Sequence, residues 1–394
     1  MQEKRDCYFL LTRLPYPPIG GDRLRYYNSI LVLQKFVRLR LIIITDEKPG
    51  PEVIQFLQEN TYSYKIFIYP KYRFRLNALQ AIVSHYPIQV KYYYFKEVEK
   101  YCRENIQNND LIISNLVRTA LYAVNFPNTK WLDLIDSLYL NYSRSKLKVS
   151  SLFWKMMYTV EAKRLKTFER FCVEKFDATL FTNFNEQKFY APFGKATWLP
   201  NGVNEALLHT TYISEQNKKL PTVVFLGKMD YQPNIDAALW FAEKVLPLSQ
   251  DIQLIIAGSS PVKKIFDLEL RFPGRVTITG FVEDPYKLMY AADAVIAPMQ
   301  TGGGIQNKIL EAMAIGCVVL TTQLGAQPIV GAENGKHLMI CETPVEFVNA
   351  IHALHNNTLD ANAMRIAAKK LMQEKYTWEL FAQKWKQLIE GEGE

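Results

Sequence analysis

The chain has 394 residues, 48% hydrophobic, 13% aromatic and 22% charged, enough for a large core and unlike disordered, collagen-like or coiled-coil chains. At ~100 to 200 residues per domain the length predicts two domains of about equal size, and the longest aliphatic run, Leu39 to Thr45 broken by Arg40, is far short of the ~20 apolar residues that span a bilayer. The net charge of +8 conceals an asymmetry: residues 1–200 carry 30 Lys and Arg against 18 Asp and Glu, residues 201–394 carry 17 against 21.

Short apolar runs bounded by turn residues alternate with segments of helical period, the pattern of α/β architecture with parallel sheets. In the first half, strands are predicted at Cys7–Thr12, Leu39–Thr45, Tyr64–Tyr69, Asp110–Ser114, Lys130–Leu134, Ala178–Thr182 and Thr197–Pro200. The longest helix is predicted from about Ser151 to Phe176, where Phe153, Met156, Met157, Val160, Leu165, Phe168 and Phe171 recur on a stripe expected to face the core. A boundary is predicted near Asn201–Leu220, where Pro200-Asn201-Gly202 makes a turn and Thr210 to Lys219 is polar. Beyond it, strands are predicted at Thr222–Leu226, Ile252–Ala257, Val276–Ile278, Asp293–Ala297 and Cys317–Leu320, with a helix from about Asn234 to Leu246 after the first and another from near Ile305 to Ile315. Each strand ends in glycine or proline before the next helix, as in doubly wound sheets. No repeat of 20 to 50 residues is present, which excludes a solenoid.

Cys7, Cys102, Cys172, Cys317 and Cys341 are an odd set at wide spacing with no C-x-x-C, and no histidine pair has H-x-x-x-H spacing. Neither a disulfide framework nor a zinc site is predicted, and a reducing cytoplasm fits. The N-terminus lacks a signal peptide's apolar core and cleavage site, so a cytoplasmic protein is expected. A basic first half attracts nucleic acid, an anionic membrane or a phosphate-bearing substrate; scattered lysines on a solvated face are the plain alternative. Without a helix-turn-helix, KH or RNP signature, nucleic acid is not an expected partner.

The strongest local signal is Thr301-Gly302-Gly303-Gly304-Ile305-Gln306-Asn307-Lys308-Ile309-Leu310-Glu311. A strand delivers the chain to three glycines, whose backbone N–H groups can approach a ligand closely, and a helix then points its positive end at the same place. That arrangement suits phosphate, although a structural turn explains three glycines equally well. The segment is neither G-x-x-x-x-G-K-[ST] nor G-x-G-x-x-G. Glu311, two turns into the helix, is placed to accept hydrogen bonds from ribose hydroxyls, or else is a solvated surface glutamate. Lys308 is read either as a phosphate contact or as half of a helix salt bridge.

The segment Pro298 to Val330, with Gly302-Gly303-Gly304, Glu311-Ala312-Met313-Ala314 and Gly316, resembles the donor-binding region of family 4 glycosyltransferases of the GT-B fold, in particular bacterial polysaccharide-type sugar transferases. Leu199-Pro200-Asn201-Gly202-Val203, Phe225-Leu226-Gly227-Lys228-Met229 with Pro233-Asn234, Gly280-Phe281-Val282-Glu283-Asp284 and Ala291-Ala292-Asp293 match in the family's order. Pro17-Pro18-Ile19-Gly20-Gly21-Asp22-Arg23 is similar to the glycine loop after its first strand. Two positions depart from the family. The first of its paired glutamates is replaced by Gly303, and where many relatives carry a histidine in the acceptor domain this chain offers Asp133 and Asp136.

The resemblance implies two Rossmann-like doubly wound domains facing across a cleft. Residues 1–200 would bind acceptor, residues 201–375 the nucleotide-sugar donor, and a closing helix in 376–394 would pack back on the first domain. It implies retaining transfer from a UDP- or GDP-linked sugar to a glycan or lipid-linked acceptor, with no metal and no other cofactor, and with peripheral contact between the basic half and an anionic membrane. Lys228, Asp136 and Asp133 are the implied catalytic residues. Lys228 would meet the departing diphosphate, its alternative being a strand-end lysine in solvent, and Asp136 would orient the acceptor or act as base, its alternative being a helix cap. Donor binding is implied for Gly20, Gly21, Gly227, Phe281, Val282, Gly302, Gly303, Gly304, Ile305, Lys308 and Glu311. An epimerase of the same fold and a non-catalytic nucleotide-sugar binding partner are the competing readings.

Overall fold

Strands of a parallel sheet covered on both faces must be apolar along their whole length, and the run Leu-Ile-Ile-Ile at 41–44 is of this kind, buried throughout. The computed structural model describes residues 4–82, 84–145, 152–210 and 219–391. The chain forms two compact units, Met1–Pro200 with Ala382–Glu394, and Asn201–Phe381.

The first unit contains β1 (Asp6–Leu11), β2 (Arg38–Thr45), β3 (Ser63–Ile68), β4 (Leu111–Asn115), β5 (Lys130–Ile135), β6 (Ala178–Phe181) and β7 (Ala196–Trp198). They pair in parallel in the order β3-β2-β1-β4-β5-β6-β7, so the winding reverses between β1 and β4. The second unit contains β8 (Thr222–Leu226), β9 (Gln253–Ala257), β10 (Val276–Gly280), β11 (Ala294–Ala297), β12 (Val319–Thr321) and β13 (Met339–Ile340). Its order is β10-β9-β8-β11-β12-β13, all parallel, with the reversal between β8 and β11.

The two-residue strand β13 is too short to leave a periodic signal and was not predicted. The helix expected over 234–246 is regular only across Gln232–Trp240; a π turn (Phe241–Val245) and a 3-10 turn (Leu246–Leu248) follow, the latter containing Pro247, which has no N–H to donate.

The long helix forms over Leu152–Lys175, but the stripe read along it does not face the core as a whole. Ala162, Leu165, Phe168, Cys172 and Val173 are buried, whereas Met156 and Val160 are exposed, 60% and 47%, and Phe171 is 37% exposed. The spacing of five between Val160 and Leu165 explains the split, because it turns the helix by about 140° and joins two different faces in one list. Ser151 and the Phe153 side chain lie outside the described residues, as do 211–218 of the predicted polar boundary.

The last helix, Trp378–Glu390, contributes its C-terminal part to the first unit. Trp385 is fully buried and its ring lies 6.0 Å from that of Trp131 on β5. Lys384 donates to the Trp198 carbonyl (3.0 Å) and sits 4.2 Å above the Trp198 ring on β7. Nearer the boundary, Val203 donates to the Tyr376 carbonyl (2.7 Å), and a Cβ on Gly202 would collide with the backbone of Thr377 and Trp378. Trp385→Ala should destabilise the first unit by about 3 to 5 kcal/mol. Amide hydrogen exchange would then quicken in β5 and β7 and stay unchanged in β8 and β11; uniform quickening would refute this local role.

Candidate functional site

At the carboxyl edge of the second sheet the strand ends are joined through glycines. Gly227 N–H donates to Ala257 (3.0 Å) and Gly258 N–H to Gly280 (2.8 Å). Gly258 has φ +145°, and a Cβ there would strike the Gly227 carbonyl, so only glycine permits this approach. A Cβ on Gly227 would lie 2.6 Å from Asn234 Nδ2.

Asn234 lies in the first turn of the helix that follows β8. Its Nδ2 donates to the Lys228 carbonyl (3.0 Å), and its Oδ1 accepts from Lys308 Nζ (2.6 Å). Lys308 lies in the first turn of the helix Asn307–Ala314, which follows β11, and its Nζ stands 4.4 Å from the centroid of the Phe225 ring. The bridge therefore crosses the β8/β11 reversal, where doubly wound sheets take ligands. Burial pulls the Lys308 amine down to about 7 against the pull of Glu311, and pushes the half-buried Glu311 carboxyl up to about 7 against the pull of Lys308.

Between β11 and this helix runs the glycine loop. Gly302 has φ +95°, Gly303 and Gly304 are buried, and Gln306 Nε2 donates to the Gly304 carbonyl (3.2 Å). The helix begins at Asn307 instead of near Ile305, and no side chain caps it. Ile305 thus belongs to the loop. Ile309, Leu310 and Met313 pack inward, holding the positive end of the helix against the sheet.

Lys228 follows β8 by two residues and is half-exposed, in an ion pair with Asp230 (3.0 Å). Gly227, Lys228, the three glycines, Ile305 and Lys308 thus gather around one strand junction, with Glu311 one turn further along. Phe281, 70% exposed, and the half-buried Val282 follow Gly280 at the end of β10, two strands from β8. Two contributors escaped the sequence reading as site residues. Asn234 was legible only as part of a motif, and Asp236, whose carboxylate lies 3.5 Å from the Thr301 hydroxyl, gave no signal.

In the first unit, Gly20 (φ +101°) and Gly21 open the helix Gly21–Leu33 after β1, beside that sheet's own reversal. Asp133, expected to serve the acceptor, is instead fully buried and grips Arg25 of this helix at 2.6 to 2.9 Å, while Arg25 also donates to the Leu199 carbonyl (2.9 Å). A carboxylate committed to a buried guanidinium holds the domain together and is withdrawn from substrate.

Asp136 is half-buried and accepts from the Thr182 hydroxyl (2.9 Å); burial raises its pKa, with Thr182 opposing. The capping alternative falls to its neighbour, since Ser137 Oγ accepts from Leu140 N–H (3.1 Å). Beneath it lies an acid cluster that the sequence did not announce. Glu169 accepts from Ser137 Oγ (2.6 Å), Tyr139 N–H (3.0 Å) and the Tyr190 hydroxyl, and Glu186 accepts from Ser137 N–H (2.6 Å). Burial pushes the Glu169 carboxyl up to about 7 and the Glu186 carboxyl well above the ordinary range. At the end of β4, Asn115 is fully buried with neither side-chain amide atom bonded to protein.

Residues 220–357 match the family model described as glycosyl transferases group 1. An uncharacterized 44.6 kDa protein in the cps region of Klebsiella pneumoniae is 25% identical over 240 residues, 58% of this chain and 60% of that protein. A phosphatidyl-myo-inositol mannosyltransferase of Mycobacterium tuberculosis is 30% identical over 135 residues, 33% of this chain and 36% of that protein. The chain thus spans 60% or less of the length of these relatives. Among solved structures, sucrose-phosphate synthase from Thermosynechococcus elongatus superposes with a TM-score of 0.72 at 16% identity, covering 98% of this chain and 99% of that one. Anabaena HepE in complex with UDP and glucose does so with 0.67 at 14% identity, covering 98% and 99%. The fold is GT-B, and the segment 220–357 belongs to the glycosyl transferases group 1 family.

A carboxyl whose pKa is raised on folding stabilises the native state while protonated, and that contribution is lost as pH rises from the ordinary glutamate value through about 7 for Glu169. Relative to Glu169→Gln, the parent should lose on the order of 2 kcal/mol between pH 4.5 and pH 8. Urea titrations of both proteins across this range check it, and parallel pH profiles would show that folding leaves the Glu169 pKa unshifted.

Proposed function

We propose that this chain is a retaining glycosyltransferase of the cytoplasm that moves a sugar from a UDP- or GDP-linked donor to a glycan or lipid-linked acceptor, with no metal or further cofactor. The Lys308–Asn234 bridge beside the glycine loop, at the β8/β11 reversal, carries this reading: it sets a cation and a helix N-terminus around one point, the requirements of a diphosphate. The binding of UDP and glucose by Anabaena HepE and the mannosyltransferase relationship support the donor class.

In this reading the loop amides and the helix end hold the phosphates while Glu311 accepts hydrogen bonds from the ribose. The Lys228–Asp230 pair is solvent-exposed and worth about 1 kcal/mol or less, so a diphosphate readily takes the amine from Asp230. As the bond from the anomeric carbon to the diphosphate oxygen breaks, negative charge grows on that oxygen, and Lys228 stabilises it more than it stabilises the bound donor. The acceptor hydroxyl attacks from the same face and passes its proton to a donor phosphate oxygen, giving retention. Asp136 and the unsatisfied amide of Asn115 are the acceptor-side groups of the first unit, whose basic surplus is set against an anionic membrane.

Lys228→Ala should lower kcat by about a hundredfold or more, the scale of one preorganised electrostatic donor, with a smaller change in donor affinity. Parental kcat at saturating donor would assign leaving-group stabilisation elsewhere. Glu311→Ala should weaken UDP or GDP binding by about tenfold or more, the loss of a charged hydrogen bond, without lowering the melting temperature. Calorimetric titration decides it, and unchanged affinity would remove Glu311 from the ribose.

A further inference from the structure

The neighbouring strands β4 and β5 both give way to a non-glycine residue in the left-handed region. Leu116, just after β4, has φ +54°, and Ile135, the last residue of β5, has φ +62°. Side chains enter this region at a cost, the β-branched Ile135 above all, and such strain persists only where the surrounding fold enforces it. Each turn delivers a charged residue to the carboxyl edge of the sheet. Asp136 directly follows Ile135, and Arg118 stands two residues beyond Leu116 in the short helix Leu116–Thr119. The winding of the sheet reverses between β1 and β4, the place where doubly wound sheets take ligands.

Arg118 is half-buried and held on two sides. Its Nε donates to Gln89 Oε1 (3.1 Å), and its guanidinium carbon lies 5.3 Å from the centroid of the Tyr93 ring. Both supports are themselves fixed: Gln89 Nε2 donates to the Tyr142 hydroxyl (3.2 Å), and the Tyr93 ring meets that of Phe74 edge-on at 5.5 Å. The edge carrying Nη1 and Nη2 is left over, and no described residue accepts a hydrogen bond from either nitrogen. In this Arg118 differs from the other half-buried arginines of the first unit. Arg23, Arg38, Arg40, Arg73 and Arg144 each meet a carboxylate at 2.6 to 3.9 Å, and Arg164 donates to two backbone carbonyls. Glu161, the carboxylate nearest in the hydrogen-bond chain, is committed to the N–H groups of Ile88 (3.0 Å) and Gln89 (3.2 Å), and Asp22 of the helix after β1 is paired with Arg13 (3.0 Å).

A guanidinium pinned through one nitrogen and one face, with its two remaining nitrogens open side by side, is preorganised for two oxygens of one anion. We propose that Arg118 receives an anionic group, phosphate or carboxylate, borne by the sugar acceptor, so that this chain is a transferase for acidic acceptors. The inference rests on the reading of the first unit as the acceptor domain and narrows it. Asp136, at the next strand end, serves the hydroxyl of the same molecule: the acceptor is fixed through its charge at one point and left to react at another. An uncharged acceptor would leave the fork without a partner, and a site built to bond a charge discriminates strongly against a molecule that lacks it.

Calorimetric titration of the full chain, with UDP and GDP both present to fill the donor site, tests this with glucose 1-phosphate, glucuronic acid and glucose as probes. At least one charged probe is expected to bind and glucose is not; glucose 1-phosphate alone would name phosphate as the anion, and glucuronic acid alone carboxylate. Arg118→Gln should weaken that binding by about tenfold or more, the loss of hydrogen bonds to a charged group, at parental nucleotide affinity and melting temperature. Lys228→Ala should leave it unchanged. Failure of both charged probes to bind, binding of glucose as tight as theirs, or an Arg118→Gln variant that binds them as the parent does overturns the proposal. So does charged-probe binding that Lys228→Ala abolishes, which would assign the anion to the donor site. A parent that binds a charged probe but neither UDP nor GDP would instead overturn the donor-site reading and leave Arg118 with its anion.

Discussion

The hydrogen bond from Lys308 to Asn234 organises the second unit. An ammonium taken out of water is costly unless its donors are satisfied, and here an amide oxygen and the face of Phe225 share that task. The same amide's nitrogen holds the Lys228 carbonyl, so one asparagine fixes the turn after β8 to the helix after β11. Gly227 must then be bare to admit Asn234, and Gly258 bare to admit Gly227. The glycines at the strand ends are packing requirements of this bridge as much as openings for a ligand.

The first unit solves a similar problem with stronger charges. Arg25 and Asp133 form a fully buried ion pair between the first helix and the middle of the sheet. Removing either partner would strand the other in a medium that solvates it poorly. Around Ser137 the fold instead buries carboxyl groups with weaker support: Glu169 is supplied with hydroxyl and amide donors, and Glu186 has the half-exposed Arg144 at 3.9 Å. Burial outweighs these donors, and the carboxyl groups shift toward their protonated forms. The end of β5 is thereby tied to the helices that carry Glu169 and Glu186, and Asp136 is held at its edge.

The charge asymmetry of the chain acquires a location from the fold. Of the basic surplus in residues 1–200, five cations fall in the acid-free segment 71–96, and the helix there turns Leu76 and Leu79 outward. Positive charge and exposed apolar side chains therefore share this part of the first unit.

The sequence by itself determined the two-unit α/β plan, because alternation of short apolar runs with helical period is a local property of the chain and glycine marks where each strand must stop. It also marked the glycine loop, Lys228 and the closing helix, whose Trp385 proves fully buried. Only the tertiary structure decided what the charged residues do. Lys308 meets Asn234 across 74 positions and Asp133 meets Arg25 across 108, and no local pattern encodes a partner at that distance. The stripe from Phe153 to Phe171 divides for a local reason, since the spacing of five between Val160 and Leu165 put two faces into one list, whereas which of those faces is covered depends on what the rest of the chain brings against it.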